Sequence, residues 1–371
     1  MGLAQVEDFE LERYFARWEF TVRHQLSASD VEPMSLAEVL AHADADGRRR
    51  WEQLTLGYTE SAGLPALREA IAAQYRDIKP EHVLVVAGAE EGIFLLTHAV
   101  LSPGDEAVVV VPAYQSLHAL PRSIGAGVRE VALQHERAWQ LDPEDVAAAT
   151  GPRTRLIVVN SPHNPTGAHI SASVQRRLVE IAERSGAILL SDEVYRGLES
   201  TTDRLPAAAD LSDRAVSLGV MSKSFALPGL RIGWLATRDK ALLERLSRLK
   251  DYTTICSSAP SEILALIALR AAERVLQRSR DIVAANRDTA QRFVDAHAGA
   301  IEWVAPRAGS IAFPRLRGRD ADDVARALVD RESVLLVPGR IFGRAGGHFR
   351  LGLGRRDLPA ALDALHRVLS P

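Results

Sequence analysis

One cysteine, Cys256, is present in 371 residues, so no disulfide can form within the chain, and a reducing compartment suits it. No apolar run is long enough to span a bilayer: the best candidate, AVVVV at 107–111, is strand-sized. The opening MGLAQVEDFELERYF is acidic and amphipathic and lacks the basic-then-apolar order of a secretory signal. Val6 stands where an N-myristoylation motif needs Ser or Thr. A cytoplasmic protein is therefore expected. A charge excess is also missing. With 45 basic and 48 acidic residues the formal net charge is −3, which favours neither nucleic acid nor an anionic membrane as partner. The run Arg48-Arg49-Arg50 reads as a solvated face. The 11 histidines are scattered, with no HExxH to hold a metal and no GxSxG to present a nucleophilic serine. The stretch AGAEEG at 87–92 is not GxGxxG, so a dinucleotide site has no support, and no metal site is expected.

What is present is ordinary globular composition, 47% hydrophobic and 25% charged, at a length that suits two or three domains. Short apolar runs recur: HVLVVAG (82–88), EAVVVVPAY (106–114), RLIVVNSP (155–162), AILLSDEVY (187–195) and AVSLGVMSK (215–223). Between them, EGIFLLTHAVL (91–101) and SVQRRLVEIAERSG (173–186) have helical spacing. Continuous rather than alternating apolar strands imply a sheet covered on both faces, and the strand–helix alternation predicts a doubly wound, mostly parallel α/β sheet. Tyr114, Asn160, Asn164, Asp192, Tyr195 and Lys223 all follow such runs, where open α/β sheets bind ligands. After residue 240 the texture changes to helical stretches mixed with GSIAFPRL (309–316), VLLVPGRIFG (334–343) and HFRLGLG (348–354). The expected division is a large domain over 46–258 and a smaller α+β domain built from 259–371 together with residues 1–45.

The chemistry concentrates in SLGVMSKSFALPGLRIGW, residues 217–234. Lys223, at a strand end among small and hydroxyl residues, can form an imine with an aldehyde, and Arg231 supplies a fixed charge suited to a phosphate. Gly88-Ala89-Glu90 opens a helix, a turn that offers free N–H groups to an anion. SDEVY (191–195) and NSPHNPTG (160–167) close two further strands. In this order, over roughly residues 55–355, these motifs resemble those of the fold-type I pyridoxal-5′-phosphate (PLP) enzymes, the class I/II aminotransferases in particular.

That resemblance implies an aspartate-aminotransferase-like large domain and a homodimer. It implies that Lys223 carries the cofactor as a Schiff base, with Asp192 beside the pyridine nitrogen and Asn164 and Tyr195 at the ring's phenolic oxygen. Tyr114 would stack on the ring; Gly88, Ala89, Glu90, Ser222 and Arg231 would hold the phosphate, joined by Tyr58 from the neighbouring subunit. Arg350, in HFRLGLG, would clamp the substrate α-carboxylate beside Asn164, as a planar fork suits. The substrates implied are an amino acid and a 2-oxo acid.

Two departures stand out. Where many relatives carry a phosphate-binding Ser or Thr, this chain has Val220, which leaves Ser222 or Ser224 to supply the hydroxyl. The usual short glycine-containing opening segment is replaced by residues 11–40. There LERYF and LSASDVEPMSLAEVL, with KDYTTICSS (250–258) and PRAGSIAFPRL (306–316), are similar to capreomycidine synthase-like enzymes. This second likeness implies elimination, cyclisation or oxidation of an arginine derivative, for which Asp30 and Glu32 are candidate side-chain contacts. A non-enzymatic regulator on the same fold would need a DNA-binding domain, and no helix-turn-helix segment is evident.

Overall fold

The computed structural model describes residues 6–199 and 204–370; the Met-Gly opening weighed for lipidation lies outside them. Seven strands form the central sheet: β1 (Val83–Val86), β2 (Glu106–Val111), β3 (Gly127–Ala132), β4 (Thr154–Asn160), β5 (Ile188–Asp192), β6 (Ala215–Val220) and β7 (Gly233–Ala236). Their order is β1-β7-β6-β5-β4-β2-β3. β7 runs antiparallel to both β1 and β6, and every other pairing is parallel. Strands β1, β5, β6 and β7 are buried along their whole length, as the unbroken apolar runs require of a sheet covered on both faces. β3 is the exception. It lies at an edge with only Val131 buried, and its Arg129 reaches across to Glu106 at 2.9 Å.

Helix α1 (Glu10–Trp18) precedes the sheet, and α2 (Gly88–Val100) follows β1 directly and packs on β6 and β7. The apolar stripe of α2, with Ile93, Leu95 and Leu96 buried, faces the sheet, as the 3.6-residue period dictates. Beyond β7 come α3 (Lys240–Lys250), α4 (Ala259–Arg270), the long α5 (Ala272–Ala296) and, near the end, α6 (Leu358–Leu369). α5 packs against α6. In the same region Phe349–Gly352 pairs antiparallel with both Ile311–Ala312 and Val337–Pro338, while His24–Gln25 runs parallel to Val334–Leu335. Residues 24–32 thus pack on the C-terminal part of the chain, and the Glu32 N–H donates to the Gly354 carbonyl at 2.9 Å. Among the described residues no helix is long and apolar enough to cross a membrane.

Close backbone approach sets where the site can form. A Cβ on Gly233 would stand 2.8 Å from the carbonyl carbon of Gly88 and 3.1 Å from the Ala89 nitrogen, so only glycine lets β7 run beneath the first turn of α2. Gly233→Ala should therefore force the turn and strand apart, costing about 1–3 kcal/mol as overpacked sites do. A urea midpoint unchanged from wild type would contradict this.

Candidate active site

The first turn of α2 is built as an anion cradle. Gly88 has φ +82°, and a Cβ there would lie 2.6 Å from Arg231 Nη2, so the guanidinium closes over free helix N–H groups only because residue 88 is glycine. Arg231 is itself left-handed (φ 51°), at the end of a single turn Pro228–Leu230, and its Nη1 approaches Ser222 Oγ at 3.5 Å. Of the two hydroxyls that could stand in for Val220, Ser222 faces this cradle, whereas Ser224 donates to the Val194 carbonyl at 3.2 Å. Val220 is core, 4% exposed.

The two acidic residues of AGAEEG turn away from the cradle. Glu91 accepts from the Ala87 N–H at 2.5 Å and from the Thr254 hydroxyl at 2.8 Å, which braces the turn. Glu90 accepts from Ser116 Oγ at 3.0 Å; burial pushes its carboxyl up to about 7, opposed by that hydrogen bond.

Asp192 ends β5 and is buried. Burial lifts its carboxyl to about 7, against the pull of the Val194 N–H and the Lys223 amine. Asn160, its neighbour in the sheet register, donates to the Asp192 carbonyl at 2.9 Å and accepts from the Asn164 N–H at 2.6 Å, so one side chain fixes two of the motif residues. Lys223 lies three residues past β6. Burial pulls its ammonium below the usual lysine value; Asp30, Glu12 and Asp192 oppose this and Arg350 adds to it. Tyr195 is buried; burial pushes its pKa up, opposed by Arg350 and by the Ser29 side chain beside its hydroxyl.

Arg350 is 1% exposed. Its Nε donates to the Ser27 carbonyl at 3.0 Å and its Nη1 to Asn164 Oδ1 at 3.4 Å, while Nη2 is buried without a partner. Phe15 and Phe342 flank the guanidinium, their ring centroids 5.7 and 5.3 Å from its carbon. The buried Nη2, beside two nitrogens already engaged, suits a carboxylate oxygen.

The N-terminal segment completes the enclosure, which the sequence motifs did not indicate. Helix α1 brings Phe15 to Arg350 and Glu12 to the Tyr114 hydroxyl at 3.3 Å; Phe9 packs on the Tyr114 ring at 5.1 Å. Ser29 accepts from Lys223 Nζ at 2.8 Å. Asp30 is held by Arg355 at 3.0 Å, and Glu32 accepts from the Arg356 N–H at 3.2 Å. Gly88, Ala89, Tyr114, Asn164, Asp192, Tyr195, Ser222, Lys223, Arg231 and Arg350 thus lie near the strand ends, linked by these contacts and by the charges that reach Lys223 and Tyr114. Tyr58 does not join them within this chain: its side chain projects to solvent, 93% exposed. Among the described residues no cluster of His, Cys, Asp and Glu could hold a metal.

Comparison with known proteins gives the same reading. Residues 26–365 match the model of the family described as aminotransferase class I and II. Capreomycidine synthase from Streptomyces vinaceus is 35% identical over 99% of this chain and 93% of its own. Arginine–pyruvate transaminase from Pseudomonas aeruginosa is 32% identical, covering 80% and 77%. Among solved structures, a PLP-dependent aminotransferase from Streptococcus suis superposes with a TM-score of 0.93 at 28% identity, over 98% of both chains. The PLP-dependent cyclase OrfR gives 0.91 at 31%, over 98% and 97%.

Pyridoxal 5′-phosphate is the cofactor, and the residues present fit it. The glycine-lined helix terminus with Arg231 and Ser222 suits a phosphate, the Lys223 amine an aldehyde, the buried Asp192 a cationic ring nitrogen, and the buried Tyr195 hydroxyl a phenolate oxygen. The chain is a member of the class I and II aminotransferase family, a PLP-dependent transferase of the aspartate-aminotransferase fold.

Proposed function

We propose that the enzyme moves an amino group between an L-amino acid and a 2-oxo acid, with Lys223 as the covalent anchor of the cofactor and as the base. The observation that carries this reading is the juxtaposition of an amine softened by burial, Lys223, with a buried guanidinium whose Nη2 awaits a partner, Arg350. When bound, PLP supplies the electron sink that makes an amino-acid Cα–H acidic. Asp192, as the anion, keeps the ring nitrogen protonated. Arg350 takes the substrate α-carboxylate as a fork, with Asn164 beside it, which fixes the direction of the Cα–H bond. Lys223, released as a neutral amine, removes that proton and returns one later. Tyr195 holds the phenolic oxygen and Tyr114 the ring face.

The enzyme is proposed to be a cytoplasmic homodimer in which Tyr58 reaches the partner's phosphate site. The exposure of Leu56 (85%), Tyr58 (93%) and Tyr252 (91%) supports this, because large apolar side chains left in solvent are what an interface would cover.

A second reading is favoured by one specific feature. Glu12, Glu19 and Asp30 from the N-terminal segment face the same enclosure: burial, then Asp30 and Glu12, raise the Glu19 carboxyl, and Arg355 and Lys223 lower it. Carboxylates there suit a substrate with a cationic side chain. Capreomycidine synthase, arginine–pyruvate transaminase and the cyclase OrfR are all similar over most of this chain. Elimination, cyclisation or oxidation of a basic amino acid is the corresponding alternative.

Three outcomes test these readings. Lys223→Ala should lower turnover by more than about 10³-fold and abolish borohydride-dependent attachment of the cofactor; normal turnover would remove Lys223 from its role. In wild type, one amino acid added without acceptor should bleach the cofactor's visible band, and a 2-oxo acid should restore it. A band that recovers unaided while a cyclised or oxidised product accumulates would assign the second reading.

The pH dependence follows from Asp192. Its carboxyl titrates near 7 in the folded, cofactor-free protein against 3.8 ordinarily, so the folded state holds a proton that the unfolded chain releases. The stability contributed by that proton is full at low pH and is lost as pH rises from about 4 through 7. Cofactor-free wild type should therefore melt lower at about pH 8 than at about pH 5, and Asp192→Asn should flatten the difference. Glu90 and Glu262, both raised to about 7 by burial, leave a residual slope of the same sign. Identical slopes in the two proteins would overturn the assignment.

Light scattering should give twice the chain mass for wild type. Leu56→Asp with Tyr252→Asp should give monomers that lose PLP on dialysis; monomers that keep it would rule out a shared site.

A further inference from the structure

We propose that Ser29 is a positioning residue for the Lys223 amine: its hydroxyl holds Nζ in place whenever the amine is free of the cofactor. The inference rests on Lys223 being the base. Nζ donates to Ser29 Oγ at 2.8 Å, a contact 194 residues apart in sequence, so no local geometry creates it. The backbone that carries this hydroxyl is fixed from several sides. The Ser29 carbonyl accepts from Ser310 Oγ at 2.7 Å. On either side, the Gly352 N–H donates to the Leu26 carbonyl at 2.7 Å and the Glu32 N–H to the Gly354 carbonyl at 2.9 Å. Added side chains at Gly352 and Gly354 would collide with the backbone of Ala28 and Asp30, so the segment carrying Ser29 lies backbone against backbone on the strand that carries Arg350. Ser29 is thereby tied to the same element as the carboxylate fork.

The chemistry that follows is specific. An amine on a four-carbon stem has several rotamers, and only some aim its lone pair at a substrate Cα. With one N–H committed to Ser29 Oγ, the amine has fewer orientations to search. When the amine takes the Cα proton, the electron pair of the C–H bond stays with the substrate and the new ammonium keeps its hydrogen bond to the same oxygen. The charged groups facing Nζ are Asp30, Glu12 and Glu19 from the N-terminal segment, Asp192 from β5 and Arg350 from Phe349–Gly352. Asp30 is already engaged by Arg355, which leaves Ser29 as the hydrogen-bond acceptor at the amine.

The test compares Ser29→Ala and Ser29→Thr with wild type in two measurements. In the cofactor-free protein, acetylation of Lys223 against pH, read by peptide mass spectrometry, should have a lower midpoint in Ser29→Ala, because an acceptor of the ammonium is gone. Thr should restore it. In the PLP-loaded enzyme, Ser29→Ala should lower kcat about 10- to 100-fold with little change in KM and raise the isotope effect with α-deuterated donor, as loss of a hydrogen bond to a charged reacting group would. Cofactor binding, followed by absorbance, should be retained. An unchanged acetylation midpoint together with an unchanged isotope effect overturns the role of Ser29 and leaves that of Lys223 intact. Exchange of the donor α-proton that persists in Lys223→Ala would instead remove the base itself, and the proposal with it.

Discussion

Taking Asp192 and Arg350 out of water, with the Lys223 amine between them, shifts all three toward their neutral forms. Each shift is a free-energy cost of the unliganded fold, and each has a complementary group on the ligands proposed above: a cationic ring nitrogen, an aldehyde, a carboxylate. The sheet exists in this form to meet that constraint. Parallel strands end together, so Asn160 and Asp192 fall in register, and the apolar strand bodies behind them supply the rigidity that keeps ionisable groups from relaxing into solvent.

The cradle for the phosphate is a backbone device rather than a collection of charges. Arg231 reaches the first turn of α2 because residue 88 lacks a Cβ, and that turn rests on β7 because residue 233 lacks one too. Glu91 contributes by holding the Ala87 N–H and the Thr254 hydroxyl, which explains how an acidic pair can follow an anion site without repelling its occupant.

Much of this was legible in the residues alone. Buried parallel strands write themselves as unbroken apolar runs, so five of the seven were readable, along with the motif residues at their ends. β3 was not, because an edge strand with one buried residue has no hydrophobic period to detect. β7 was hidden inside the motif that follows Lys223, and its antiparallel insertion between β1 and β6 is a tertiary choice with no local signature. Likewise the pairing of Asp30 with Arg355 could not be read from residues so far apart. The roles of Phe15, Glu12 and Ser29 depend on where α1 and the following segment dock, and contacts made across one hundred to more than three hundred residues leave no pattern in the residues near them.

The docking of residues 24–32 on residues 334–355 has a consequence for how the molecule is made. The segment that encloses the lysine is synthesised before the strands it lies on. Large contact order of this kind delays loop closure until both ends of the chain are available. The central sheet can assemble during synthesis, since its strands all lie between residues 83 and 236. The enclosure over the reactive amine therefore forms after the sheet, and a chain interrupted before residue 334 would hold a complete sheet and lack the strands on which residues 24–32 dock.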